Sequence, residues 1–122
     1  MGHWVWSPPH RLWFSNVFQI RTLKVDIHKL NKAFENRVRL GIMSALVANN
    51  QVEYNRLKEL LSVTDGNLAG HLKALEKAEY IAIEKSFVGR KPNTKYSVTT
   101  PGKKAFKEHI NALELLIKQQ LN

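Results

Sequence analysis

The stretch Thr64–Val98, TDGNLAGHLKALEKAEYIAIEKSFVGRKPNTKYSV, changes its hydrophobic period halfway and so decides the fold. Its first half repeats leucine at helical spacing, at Leu68, Leu72 and Leu75. Apolar and polar residues then alternate over 80–87 and again over 94–98, as they do in strands. Gly, Pro and Asn in residues 89–93 mark a turn between them. The stretch predicts a short helix followed by a β-hairpin.

Thr64 carries the signal that starts this helix. Its hydroxyl can accept a backbone N–H of the first turn, as N-cap residues do. Val63 and Leu68 stand at the spacing of a hydrophobic staple, and Asp65 suits the positive end of the helix dipole. We therefore predict a helix over residues 64–78.

The side of the helix away from the leucines is small, amide-bearing or cationic: Asn67, Gly70, Lys73, Ala74 and Lys77. Asn can pair with adenine, Lys can reach guanine or phosphate, and Gly lets the backbone approach closely, so this face suits the major groove of DNA. An ordinary amphipathic helix with a solvated face explains the same residues. The segment alone leaves both interpretations open.

The hairpin has a basic tip. Arg90 and Lys91 stand at the turn, with Lys85 and Lys95 on the flanking strands. These side chains can meet phosphates or enter a minor groove beside the helix. A charged loop alone indicates only solubility, but a helix, a hairpin and a further helix in this order form a more specific pattern.

Length and charge favour a polyanionic partner. The 122 residues suffice for one domain with an extension, and the formal net charge is +9 with a pI near 10.0. Membrane surfaces also attract such a charge.

The absence of cysteine excludes disulfides and thiolate metal sites and fits a reducing compartment. No apolar run reaches the roughly 20 residues that a bilayer crossing needs, so we expect a cytoplasmic protein.

Residues 1–24 differ in composition from the rest and form an aromatic-rich N-terminal extension. They hold all three tryptophans but lack the apolar segment and cleavage site of a secretory signal. Exposed aromatic side chains at this density are unfavourable in water, so we expect the extension to pack on the domain or on a partner subunit. The residues concerned are Trp13, Phe14, Val17, Phe18 and Ile20. A mis-assigned start or a sequence foreign to the protein explains the composition equally well.

The remaining pattern is mainly helical. Helical spacing predicts a first helix over residues 25–34 and a second over 37–47, and Val52 and Tyr54 suggest a short strand before a third helix around Leu57. The order is helix, helix, short strand, helix, helix, hairpin, helix. We predict an α+β fold that is mainly α with a small hairpin, with a body over residues 25–99.

A long helix over residues 100–122 closes the chain. Pro101 stands in its first turn, where the missing N–H does no harm. Its apolar residues repeat at alternating spacings of four and three, as in a heptad seam: Phe106, Ile110, Leu113, Ile117 and Leu121. The domain's own first helix can fill this seam, but we favour a homodimer through it.

Several of these runs resemble the small winged-helix transcriptional regulators related to the MarR and ArsR groups. The similar runs are 37–46, 57–61, 64–76, 89–92 and 99–106, and the resemblance covers roughly residues 27–120. It implies a winged helix-turn-helix with a long C-terminal dimerisation helix. It also implies a dimeric regulator that binds a pseudo-palindromic operator with one recognition helix in each half-site.

Two residues depart from the pattern of that family. Gly70 stands where a Ser is usual, which weakens one expected contact. Glu79 stands where a Gly usually ends the recognition helix. Since only Gly takes a positive φ without strain, Glu79 puts the bend between helix and hairpin in doubt.

Other chemistries find little support. His71 lies at the edge of the leucine stripe, where a partly buried structural role and a phosphate contact are equally open. The histidines show no ligand-like pairing, so we expect no metal site. No P-loop, dinucleotide fingerprint or nucleophile elbow is present, so we expect no enzyme and no cofactor.

The sequence thus leaves two hypotheses. In the first, a dimer binds double-stranded DNA with helix 64–78 in the major groove and hairpin 85–95 on the flanking backbone or minor groove, under the control of an unknown small-molecule effector. Its contact residues are Thr64, Asn67, Gly70, His71, Lys73, Arg90, Lys91 and Lys95. In the second, the fold is a protein-interaction module without specific DNA binding.

Overall fold

The computed structural model describes the backbone of residues 26–121 and the side chains of residues 26–118. The aromatic extension predicted over residues 1–24 lies outside this range. Four helices and three strands are described: α1 (Arg37–Ala48), β1 (Val52–Glu53), α2 (Tyr54–Leu61), α3 (Asp65–Lys77), β2 (Ile81–Val88), β3 (Lys91–Val98) and α4 (Thr100–Leu121). The mainly helical fold with a small hairpin is as predicted.

The three strands form one antiparallel sheet in the order β1-β3-β2. Ile83 pairs with Tyr96 and Val88 with Lys91, which leaves only Gly89 and Arg90 in the turn. The turn is therefore shorter than the predicted 89–93 segment, and β3 begins at Lys91. Gly89 has a φ of 66°. A positive φ at the first of two turn residues suits a tight hairpin and favours glycine there.

The core lies between the helices and the inner face of the sheet. Its fully buried side chains come from the segment before α1 and from α1, α2 and α3: Phe34, Ile42, Met43, Leu46, Leu57, Leu68, Leu72 and Leu75. Ile81 and Tyr96 close it from the sheet side. The three leucines of the predicted stripe thus attach α3 to the body and leave its opposite side exposed.

The prediction of a helix over residues 25–34 is wrong. The structure has two 3₁₀ turns, Ile27–Lys29 and Lys32–Phe34, separated by an extended Leu30. Asp26 accepts the His28 N–H at 3.1 Å, and Asn31 accepts the Ala33 N–H at 2.9 Å. Each of these side chains caps the start of its own turn, and because Asn31 starts a new turn in the middle of the segment, one continuous helix does not form.

The bend from α3 into β2 forms despite Glu79, which adopts a φ of 65°. The Glu79 N–H donates to the Glu76 oxygen at 2.9 Å and the Tyr80 N–H to the Leu75 oxygen at 3.1 Å. These are the two bonds of a Schellman motif, in which glycine is the usual residue at the left-handed position. The bend between helix and hairpin that the sequence had put in doubt is therefore present, with Glu79 in the position that glycine usually takes.

The start of α4 is tied to the same bend. The Thr99 hydroxyl donates to the Glu79 oxygen at 2.7 Å and accepts the Gly102 N–H at 3.0 Å, and the Thr99 N–H donates to the Tyr80 oxygen at 3.0 Å. A Cβ at Gly102 would collide with the Tyr80 carbonyl. The end of α3 and the start of α4 are thus joined by close backbone packing.

Candidate nucleic-acid interface

The outer face of α3 presents three predicted contact residues together. Asn67, Gly70 and Lys73 are all exposed. Thr64 precedes them and accepts the Asn67 N–H on its hydroxyl at 3.4 Å, as the sequence predicts for an N-cap. One side of α3 therefore offers an amide, a bare stretch of backbone and an amine.

Packing does not require glycine at position 70. A Cβ built on Gly70 meets no atom within 4 Å, and the residue lies inside a regular helix. A glycine within a helix interior costs roughly 0.5–1 kcal/mol relative to alanine. The missing side chain instead leaves the backbone open to close approach from outside.

A polar cluster holds the turn from α2 into α3. Lys58 Nζ lies 2.9 Å from Asp65 Oδ2, and the Tyr54 hydroxyl donates to both Asp65 Oδ1 and the Asp65 carbonyl oxygen at 3.2 Å. The hydrogen bond from Lys58 lowers the pKa of Asp65, so a carboxylate stays at the positive end of α3. Burial and the hydrogen bond to Asp65 raise the pKa of Tyr54. The cluster links α3 to α2 at the protein surface.

His71 lies half-buried on the edge of the stripe and is held by a residue of α1. Arg39 Nε donates to His71 Nδ1 at 3.0 Å, and Arg39 Nη1 lies 3.5 Å from the Ala33 oxygen. Burial, and then the charge of Arg39, lower the pKa of His71, so its ring is neutral at pH 7. Of the two roles that the sequence left open for His71, the hydrogen bond to Arg39 provides the structural one, and the ring stays partly accessible for the other.

The hairpin, which consists of β2, β3 and their turn, is here called the wing. Its tip carries cations in exposed positions. Arg90 occupies the turn, and Lys91 opens β3. Two apolar neighbours on β2 are also exposed, Phe87 by 74% and Val88 by 65%. The tip thus combines two cations with two exposed apolar side chains, and the sequence analysis had considered only the cations as contacts.

Lys95 lies away from the tip, in the middle of β3. The register pairs it with Glu84 on one side and Glu53 on the other. Opposite charges across neighbouring strands attract, so two carboxylates flank the charge of this lysine in the sheet. Of the predicted wing contacts, Arg90 and Lys91 are brought together at the tip, and Lys95 is separate from them.

The residues of the predicted seam on α4 differ in exposure. Phe106 packs edge-on against Phe34 with ring centroids 5.6 Å apart, so it belongs partly to the core. Leu113 is half-buried, whereas Ile110 is 40% and Ile117 55% exposed. The side chain of Leu121 lies outside the described range. Ile110 and Ile117 therefore leave apolar surface of the seam exposed to solvent.

The described residues form neither a metal site nor a membrane-spanning helix. No group of three or more His, Asp or Glu side chains within residues 26–118 has an arrangement that could hold a metal ion. Within residues 26–121, no helix combines the length and the hydrophobicity that a bilayer crossing requires.

A family model described as a winged helix DNA-binding domain matches residues 38–117. The match begins in α1 and extends through α3 and the wing into α4, and it covers more than half of the chain. The chain belongs to this winged-helix family.

The chain is also similar to one sequence relative and to one solved regulator homologue. An uncharacterized protein of Methanocaldococcus jannaschii is 38% identical over 87 residues, which are 71% of this chain and 95% of that protein. A solved transcriptional regulator homologue from Pyrococcus horikoshii has a TM-score of 0.67 at 26% identity, over 85% of this chain and 95% of that one.

A more distant structure supports the fold alone. The MepR–DNA complex of S. aureus has a TM-score of 0.62 at 15% identity, over 94% of this chain and 90% of that one. A solved protein of Porphyromonas gingivalis W83 that is described as a putative MarR-family transcriptional regulator has a TM-score of 0.56 at 20% identity, over 75% of this chain and 84% of that one. The predicted resemblance is confirmed at the level of the winged-helix fold.

Two residues that join distant segments by hydrogen bonds, Arg39 and His109, were not predicted from the sequence. His109 is buried, with 2% of its surface exposed, and its Nδ1 accepts the Asn31 N–H at 2.9 Å. Its spacing of three from both Phe106 and Ala112 was an available sign that it faces inward. No comparable sign pointed to Arg39, because its partner lies 32 residues further along the chain.

Proposed function

We propose that this winged-helix protein is a sequence-specific DNA-binding transcriptional regulator that acts as a homodimer on a pseudo-palindromic operator. The observation that carries the proposal is the outer face of α3, where Asn67, Gly70 and Lys73 are exposed on a helix fixed to the body by its opposite side. A major groove admits such a helix, and the three residues provide the means to read it.

Each residue of α3 has a distinct part in this proposal. The Asn67 amide can donate to and accept from one adenine, and Lys73 can reach a guanine edge or a phosphate. Gly70 lets the helix backbone lie close to the base pairs. Thr64 caps the N-terminus of α3, whose positive dipole end would attract a phosphate that comes close to it.

The wing supplies the contacts that do not depend on sequence. Arg90 and Lys91 at its exposed tip would neutralise phosphates or enter the minor groove beside the site that α3 reads. Lys95 remains a proposed contact, but Glu84 and Glu53 reduce the charge that it can offer.

The exposed part of α4 supports the dimer. Ile110 and Ile117 lie on the same side of the helix and present apolar surface that a second copy can cover. Two recognition helices related by a two-fold axis would enter successive major grooves about 34–36 Å apart. An inverted repeat is the expected form of the operator.

A groove beside α4 offers a place for the proposed small-molecule effector. It has a volume of about 510 Å³, and its lining includes His28, Lys29, Asn111 and Leu115. The groove lies where the segment before α1 meets α4. A molecule bound there would change the angle between α4 and the DNA-binding body, and so the spacing of the two recognition helices.

The test is a fluorescence-anisotropy titration of the protein against a randomised duplex pool at low and moderate salt, with recovery of the bound sequences. Enrichment of an inverted repeat supports the proposal. Binding that disappears with salt and enriches no sequence contradicts it and favours the protein-interaction module.

Two substitutions make the test specific. Asn67→Ala should weaken binding to the enriched sequence by about 1–3 kcal/mol and binding to other duplexes much less. Arg90→Ala should weaken binding to all duplexes and reduce the dependence on salt. Asn50→Ala, which removes an exposed amide from the turn between α1 and β1, is the matched control and should leave binding unchanged. Unchanged affinity in both test variants would remove α3 and the wing from the interface.

A further inference from the structure

Arg39 forms a direct bridge between α1 and the recognition helix α3. Its Nε donates to His71 Nδ1 at 3.0 Å. Among the described residues Arg39 takes part in none of the ion pairs, which join Arg56 to Glu59, Lys58 to Asp65 and Lys118 to Glu114. Its charge is therefore not neutralised by a carboxylate of the described chain.

The bond from Arg39 fixes the chemical form of His71. A neutral imidazole carries one proton, and a ring nitrogen that accepts a hydrogen bond cannot hold it. Since Nδ1 accepts, the proton of neutral His71 lies on Nε2. His71 thus offers an N–H donor without a charge, and Arg39 beside it provides the charge.

The guanidinium of Arg39 retains donors for a further ligand. It has five N–H groups, of which Nε binds His71 and one on Nη1 lies 3.5 Å from the Ala33 oxygen. The remaining N–H groups have the planar geometry that suits two oxygens of one phosphate. Both side chains are half-buried and so only partly hydrated.

The pair lies on a flank of α3. His71 is one helical turn beyond Asn67, so the two side chains project from the same side of the helix. A helix in a major groove has a sugar-phosphate strand along each flank. The strand bordering the Asn67 flank would therefore pass His71 and Arg39.

We propose that Arg39 and His71 together bind one phosphate group of the DNA strand that borders the major groove, with Arg39 as the charged ligand and His71 as a neutral donor. This inference rests on the proposed function, since it needs α3 to lie in a major groove. It adds a residue of α1 to the interface and assigns His71 a role that does not depend on its charge.

Anisotropy titrations over a range of salt concentrations separate the two roles. Arg39→Gln should lower affinity for all duplexes about tenfold or more and reduce the slope of log affinity against log salt by about 1. His71→Ala should lower affinity by a similar factor and leave the slope unchanged, because it removes a hydrogen bond and no charge. His71→Gln, which retains an N–H donor at the end of its side chain, should recover part of the loss.

The matched control is Lys104→Gln, which removes the same charge from an exposed position on α4. It should change the slope by much less than Arg39→Gln. Equal slopes for these two variants, with wild-type DNA binding intact, would overturn the phosphate site and leave the proposed function standing. A wild-type protein that binds no duplex would overturn both.

The state of His71 can also be observed without DNA. Nitrogen-15 NMR of the imidazole should show the Nε2–H tautomer in the wild type and a loss of this preference in Arg39→Gln. Addition of duplex should then shift the His71 Nε2 resonance in the wild type. A resonance that does not respond to bound duplex would contradict the contact, even where Arg39→Gln reduces affinity through a change in folding.

Discussion

Glu79 holds a backbone conformation that disfavours its own side chain. A left-handed φ of 65° costs a residue with a Cβ roughly 1–2 kcal/mol, and glycine avoids this cost. Contacts from 20 residues further along the chain maintain it, since Thr99 binds the Glu79 and Tyr80 carbonyl oxygens. The sequence could not predict this outcome, because the helix-ending rule is local and the compensating bonds are not.

We expect Glu79→Gly to raise the free energy of unfolding by about 1 kcal/mol, since the relief of strain exceeds the entropy that glycine adds to the unfolded chain. Urea denaturation measures this change in the free energy of unfolding, and the m-value should be the same in the variant and the wild type. Glu79→Ala keeps the Cβ and removes the charge, so it should give no comparable gain. Equal stabilisation by both variants would mean that the charge of Glu79, and not its φ, is the cause.

His109 connects α4 to the segment before α1 through a bond that requires a neutral ring. Burial lowers its pKa below the usual 6.5, and the nearby Glu35 opposes this in part. Its Nδ1 accepts the Asn31 N–H, and the Asn31 side chain in turn donates to the Tyr80 hydroxyl at 3.0 Å. Protonation of Nδ1 would abolish the first of these bonds.

The stability of the protein should therefore depend on pH near the histidine range. Below pH 6.5 the unfolded chain binds a proton at His109 that the native chain does not, so the free energy of unfolding falls as the pH drops toward the lowered pKa. Denaturation between pH 7.5 and 5 measures this fall. His109→Asn retains an acceptor that does not titrate, and its curve should fall less steeply. A parallel curve would assign the dependence to His71, whose pKa is also lowered.

At the scale of the element, α3 and the segment over residues 25–34 differ in how far the sequence predicts them. The helix α3 is specified by residues close together in the sequence: Thr64 caps it, and its leucines recur at the helical spacings of four and three. The helix over 25–34 was predicted from a similar apolar spacing, but Asp26 and Asn31 each cap the start of a separate 3₁₀ turn. Periodicity alone does not outweigh such capping residues.

The wing makes a prediction about which cations bind DNA. Lys91 lies at the exposed end of β3, whereas Lys95 is paired in register with Glu84 and Glu53. Lys91→Ala should therefore reduce the salt dependence of binding more than Lys95→Ala does, since a lysine that faces two carboxylates releases fewer counterions from DNA. The two variants remove the same charge and so control for each other. A larger effect at Lys95 would mean that DNA displaces its carboxylate neighbours.

At the scale of the whole molecule, the sequence predicts the order of elements from α1 onward and the outer face of α3, but not the contacts that join distant segments. The bond from Arg39 to His71 spans 32 residues and that from Asn31 to His109 spans 78. Neither follows from local spacing, since each depends on how the helices pack once the core has formed. The sequence thus predicts which residues share one face of a single helix. The hydrogen bonds that join two elements are seen only in the structure.

The seam on α4 gives a prediction about assembly. Ile117→Glu places a charge in the apolar face that we propose between two copies, and an unpaired charge in a buried interface is strongly unfavourable. We expect sedimentation equilibrium to show a shift from dimer to monomer. Affinity for a full inverted repeat should fall much more than affinity for a single half-site, because the linkage between the two recognition helices is lost.

Leu60→Glu is the matched control for this change. Leu60 lies on α2 and is 49% exposed, close to the 55% of Ile117, so the two variants introduce the same charge at apolar positions of similar exposure. The control should remain a dimer and bind the inverted repeat as the wild type does. If both variants stay dimeric, Ile117 lies outside the interface, and another surface must bring the two recognition helices to their half-sites.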